Sequence, residues 1–138
     1  MLLEALIAIL IFSVGILAIV GMQATAIQDM GEAKYRTEAA FLANRVVAEM
    51  WGSMGTNAAQ VQTNLGKYAY AGSGAPPLAI ADWVDTVQDR LPGAKDFPPI
   101  IAVGADNDVT VTVRWRAPRD TSSGATAHSY QAIAYLNP

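Results

Sequence analysis

Cysteine does not occur in the 138 residues, and its absence removes disulfides, Cys-ligated zinc, iron–sulfur clusters and thiol catalysis together. Proline is missing before Pro76, so nothing of that kind interrupts a helix in the first half of the chain. Neither lysine nor arginine precedes the apolar run near the start, and the basic flank of an ordinary signal peptide is therefore lacking. Histidine occurs once, at His128. The nine basic residues are scattered and the net charge is −3, which leaves no electrostatic footprint for nucleic acid, and no such partner is expected. No second apolar run reaches spanning length after the first.

What is present begins at once. Glu4 is the one charge in the first 28 residues, and an unbroken stretch of apolar and small residues follows it from Ala5 to Met22. At the helical rise this stretch covers about 27 Å, close to the hydrocarbon thickness of a bilayer. It reads as a retained anchor rather than a cleaved signal. The overall mean hydropathy of +0.24 is inflated by this run, and the remainder has an ordinary composition sufficient for one small domain.

The helical pattern continues past Met22 to about Trp51, a length of roughly 75 Å. In its second half Met30, Ala33, Thr37, Ala40, Phe41, Asn44, Val47, Ala48 and Trp51 recur at spacings of three and four. Tyr35, Ala39, Leu42, Val46 and Met50 form another stripe nearly opposite. Pairs four apart (Glu32 with Arg36, Lys34 with Glu38, Arg45 with Glu49) occupy the flanks as helix support. Opposed apolar faces require different coverings. A small head covers one, and another protein chain is the simplest cover for the other, the alternative for this half being a head that wraps both; periodicity leaves open which stripe takes which task.

Residues 52–78 are rich in Gly, Asn and Gln and read as a long loop with a short helical turn. Ile80, Trp83, Val84, Val87 and Leu91 share one face of a short helix that Pro92-Gly93 stops, with Trp83 as a core anchor. Beyond Pro99 the period changes to two. Ile100–Val103 forms a strand, Gly104–Asp108 supplies a turn, and Val109, Val111, Val113 and Trp115 alternate with Thr110, Thr112, Arg114 and Arg116. After a polar loop, Tyr130, Ala132, Ala134 and Leu136 alternate again. The expected fold class is α+β: a long protruding N-terminal helix, residues 1–54 (1–22 membrane or filament core, 23–54 amphipathic), on a head of residues 55–138 holding a small antiparallel sheet.

Candidate chemistry is sparse. His128 and Ser129 are adjacent on a strand and point to opposite faces. Asp82, Asp85 and Asp89 lie on the polar side of the short helix. Asp106 and Asp108 flank Asn107 and form a weak candidate calcium corner, although Asn and Asp are also the standard residues of a tight turn. Ser122-Ser-Gly124 lacks the surrounding pattern of a nucleophile elbow. No phosphate cradle or dinucleotide fingerprint is present, and no catalysis and no cofactor are expected. Glu4 differs, because a carboxylate at the head of an apolar segment is costly unless it snorkels or meets a cation such as an α-amino group. Gly15 and Gly21 admit either close helix packing or local bending of the anchor.

Leu2-Leu-Glu-Ala-Leu-Ile-Ala-Ile-Leu-Ile-Phe-Ser-Val-Gly-Ile-Leu-Ala-Ile-Val-Gly-Met-Gln23 closely resembles the N-terminus of class III-signal pilins, and looks most like minor type IV pilins of the PilV type. Thr37-Glu-Ala-Ala-Phe-Leu-Ala-Asn-Arg-Val-Val-Ala-Glu-Met-Trp51 is similar to the second half of that family's helix, and the Trp83 helix followed by a Val-Thr-rich strand ending at Trp115 resembles its head more loosely. The resemblance implies a type IV pilin-like fold and a minor pilin that supports pilus assembly, adhesion or twitching motility. It implies other minor pilins and the major pilin as partners, storage in inner-membrane lipid with a periplasmic head, and an extracellular pilus after assembly. Glu4 would meet a neighbour's N-terminal amine, and Phe41, Leu42, Val46, Val47 and Trp51 would serve helix packing. Family precursors carry a short basic leader cut by prepilin peptidase; here Met1 stands where the family has Thr, so either the start lies further upstream or the chain has been trimmed. Rival readings are a minor pseudopilin of type II secretion and, from another class, a membrane-tethered periplasmic binding domain or hydrolase.

Overall fold

The computed structural model of the chain describes residues 1–118 and 126–137, apart from the side chain of Gln28. The first element, α1, is a single helix of 51 residues, Leu2–Gly52. Its sequence is dense in Ala, Leu and Ile and free of proline, which suits a long uninterrupted helix. At its end Ser53 N–H turns back to the carbonyls of Glu49 (3.2 Å) and Met50 (3.1 Å), satisfying groups that the terminus would otherwise strand. Tyr68 Oη donates to Ser53 Oγ at 2.9 Å and Asn64 Nδ2 to Ser53 O at 3.0 Å, so the exit from α1 is held by side chains from the next segment.

The chain divides into two compact units, Met1–Lys34 and Tyr35–Pro138. The first consists of helix alone. The most apolar eighteen-residue window of α1 has a mean hydropathy of 2.8 and none of it is buried. Ser13 Oγ donates to Ile9 O at 2.7 Å and Thr25 Oγ1 to Gly21 O at 3.3 Å, so these hydroxyls are satisfied by their own helix backbone. By length and composition α1 is sufficient to cross a membrane.

The second unit is α+β. It holds the C-terminal part of α1, then α2 (Ala58–Gly66), α3 (Ala81–Arg90) and strands β1 (Ile100–Val103), β2 (Asp108–Trp115) and β3 (His128–Tyr135). The strands form an antiparallel meander in the order β1-β2-β3. Alternation places Val109, Val111, Val113 and Trp115 on the core side, joined by Ile101 and, half-buried, by Tyr130, Ala132 and Ala134. The same core takes Ala39, Leu42, Ala43, Val46 and Met50 from α1, each fully buried, together with Trp83, Val84 and Val87 from α3. Each fully buried large side chain contributes roughly 1.5–3 kcal/mol relative to exposure.

Part of the stretch expected as loop is ordered differently. Residues 58–66 form the nine-residue helix α2 rather than a single turn. Asn57 caps it, its Oδ1 accepting from Gln60 N at 3.0 Å, while Gln60 Oε1 accepts from Thr56 N at 3.1 Å and from Thr56 Oγ1 at 3.2 Å. The return of Gln60 requires Gly55, since a Cβ there would collide with the Gln60 side chain. Val61 and Leu65, four apart, drop into the core.

Ile80 and Leu91, expected within the short helix, flank α3 as its caps and are buried. Gly93 follows with φ 69°, a left-handed conformation that ends the segment as Pro92-Gly93 predicts. The last alternating residue, Leu136, lies just beyond β3 and is fully buried, its N–H donating to Asn107 O at 3.0 Å.

Candidate functional site

The candidate site is the side of α1 turned away from the core within the second unit. Leu42, Val46 and Met50 have no exposed surface, whereas Phe41 is 56% and Trp51 47% exposed. Periodicity alone could not orient the stripes, and the structure does: the Ala39–Leu42–Val46–Met50 stripe meets the core, with Tyr35 packed partly against it. Phe41, Asn44, Ala48 and Trp51 face outward. Val47 departs from the outward stripe, being half-buried against the core. Ala43, in neither stripe, is fully buried; its place four residues after Ala39 was the available signal.

The orientation is set from outside the helix. Trp83 Nε1 donates to the Leu42 carbonyl at 2.9 Å in a buried contact between α3 and the backbone of α1. Arg90 Nη1 donates to Glu38 Oε1 at 2.7 Å. Seven residues separate Trp83 from Arg90 on α3, and four separate Leu42 from Glu38 on α1, so these bonds hold α3 on α1 at two points. Helix spacing pairs Glu38 with Lys34 and gave no hint of Arg90. Arg45 Nε meets Glu49 Oε1 at 3.1 Å as its spacing predicts, an exposed pair beside the outward stripe worth a few tenths of a kcal/mol.

Glu4 lies exposed in the first turn of α1, where a negative charge also complements the positive end of the helix dipole. Met30, in the first unit, is 63% exposed. Gly15 and Gly21 have open space where a Cβ would stand.

The residues weighed for chemistry are dispersed. His128 stacks on Trp115, with ring centroids 5.8 Å apart and planes 19° from parallel, while the adjacent Ser129 is exposed on the opposite face. Asp82, Asp85 and Asp89 are exposed on α3. Asp106 and Asp108 lie in and after the β1–β2 turn, where Asn107 takes φ 59° and the Asp108 carboxylate lies over Gly104. Among the described residues no group of three or more His, Asp or Glu side chains is placed to hold a metal ion. Ser122-Ser-Gly124 lies outside the described residues. An open apolar groove of about 440 Å³ runs beside β1, lined by Ala69, Tyr70, Ala71 and residues 100–103. The Tyr70 hydroxyl on its wall donates to Gly74 O at 3.3 Å.

No protein-family model, curated protein or solved structure matches this chain.

Proposed function

We propose that the chain is a minor pilin of type IV pili. The N-terminal part of α1 holds it in the inner membrane with the α+β unit in the periplasm, and the same helix then packs beside those of other minor pilins and the major pilin as the subunit enters the pilus. The reading gives the protein no catalytic step and no cofactor. One observation carries it: α1 keeps large apolar side chains uncovered along residues 2–22 and again at Phe41 and Trp51, while a separate stripe of the same helix is wholly buried by the chain itself. Burial of apolar surface against further helices uses such a rod without any pocket.

Glu4 has a stated task in this account. Its carboxylate meets the N-terminal amine of a neighbouring subunit, a pairing that gains strength as water is excluded. Prepilin peptidase is the expected processing partner. The resemblance of Leu2–Gln23 and Thr37–Trp51 to minor type IV pilins supports the same assignment.

The test is replacement of the outward residues Phe41 and Trp51 by Ser in the full chain. The expected result is lost incorporation into pili with an unchanged melting temperature of the second unit. Full incorporation of this variant, or of a chain lacking residues 2–22, overturns the reading.

A further inference from the structure

The two edges of the sheet are treated differently. β1 is four residues long and its outer side is occupied: Tyr70 N–H donates to Ile101 O at 3.0 Å and Ile101 N–H to Tyr70 O at 2.8 Å. β3 is eight residues long and pairs with β2 along its whole length, residue for residue. Among the described residues no strand or bridge lies on its other side.

The phase of its hydrogen bonding follows from two contacts. Leu136 N–H points to Asn107 O, and Gly104 N–H to Asp108 O. Since backbone groups alternate along an antiparallel strand, the even residues of β3 bond inward to β2. The N–H and C=O groups of Ser129, Gln131, Ile133 and Tyr135 therefore point to the open edge. Their side chains lie on the face away from the core, where Ile133 is 64% and Tyr135 66% exposed.

Exposed edges are ordinarily blunted by charge, proline, a bulge or shortness. β3 has no Lys, Arg, Asp, Glu, Pro or Gly, its register has no bulge, and it matches β2 in length. The charges of β2 on the same face are drawn away from it. Arg114 donates through Nη2 and Nε to Pro98 O at 2.6 and 3.3 Å, and the Asp108 carboxylate lies over Gly104. Among the described residues an incoming segment thus meets backbone donors and acceptors, an Ile–Tyr pair and no fixed charge.

We propose that the outer edge of β3 binds an extended segment of another polypeptide, uncharged through its central residues, which adds antiparallel as a fourth strand. Main-chain bonds to Ser129, Gln131, Ile133 and Tyr135 supply the affinity, and contact with Ile133 and Tyr135 selects β-branched or apolar side chains. Lysine or glutamate at the centre of such a segment would meet no counter-charge among the described residues of this face and would lose the apolar contact with Ile133 and Tyr135. The inference rests on the sheet alone and is independent of the pilin reading.

Amide hydrogen exchange of the full chain in detergent tests it, with the acetylated and amidated peptide Thr-Val-Thr-Val-Thr-Val-Thr as probe. Free protein should exchange rapidly at residues 129, 131, 133 and 135 and slowly at 130, 132 and 134. Excess probe should slow the odd set on the order of tenfold and leave the even set unchanged. Replacing the central valine by Lys should weaken the effect several-fold. In the protein, Ile133→Pro removes an outward N–H without touching the β2 ladder, and should abolish protection while the melting temperature holds. Unchanged odd amides, or equal protection by the lysine peptide, overturn the proposal. Odd amides already protected without probe and released by dilution would assign the edge to a second copy, and overturn it too.

Discussion

One helix runs through both units of this molecule, and its apolar side chains meet opposite fates. Within Met1–Lys34 the large apolar residues of α1 are exposed, from Ile16 at 46% to Leu2 at 85%, whereas beyond Tyr35 Leu42, Val46 and Met50 have no exposed surface at all. Backbone conformation is the same in each region, so local propensity does not distinguish them. The difference lies in the pattern. Ala5–Met22 is apolar all round and no side of it is singled out, while the later segment interleaves its apolar stripes with Arg45, Glu49 and Glu38, which leaves discrete faces to be covered.

Removing the covered stripe erases the contrast between the two regions. Leu42→Ser with Val46→Ser takes two fully buried side chains from the core and puts hydroxyls in their place, at a cost of about 5 kcal/mol or more. Urea unfolding monitored by circular dichroism should show the second unit without a cooperative transition. Leu10→Lys acts on the other region, lowering the partition of α1 into lipid vesicles by about 3 kcal/mol. The urea midpoint of the second unit should not move, and a matching fall in both measurements would dissolve the distinction.

Milder substitutions grade the same contrast. Asn57→Ala removes the cap of α2 and should cost about 1 kcal/mol in the same unfolding experiment, with vesicle binding unchanged. Phe41→Ser touches a side chain that the unit itself leaves uncovered, so its effect on unfolding should stay within about 0.5 kcal/mol. Pairing it with Val47→Ser should cost more, because Val47 is half-buried against the core. The order of these effects follows burial, and equal losses from Phe41→Ser and Leu42→Ser would show that the helix has no inner and outer side.

Much of the architecture was legible in the residues. Absence of proline and an unbroken helical period announced α1, and alternation from Val109 to Trp115 announced β2, because each signal arises within a few neighbouring positions. The segment containing α2 hid itself, since it is rich in Gly, Asn and Gln and its helix depends on the Asn57 cap and on burial of Val61 and Leu65. The stripes of α1 were visible as stripes. Their assignment was not, because Trp83 and Arg90, which fix it, sit 41 and 52 residues away in sequence from the positions they hold. Three alternating segments in succession point to an antiparallel meander of about three strands with the last at an edge, and the order β1-β2-β3 agrees; the covering of the other edge by Tyr70 was hidden, because no local pattern joins it to Ile101.

The three tryptophans divide along the same line, Trp83 and Trp115 being 2% exposed and Trp51 47%. Their fluorescence is consequently a two-part signal. Trp51 should emit at long wavelength and yield to iodide, while the core pair emits further to the blue and stays shielded. A helix laid against α1 would darken one contribution to the quencher and spare the other, so the protein carries its own optical gauge of when that side is covered.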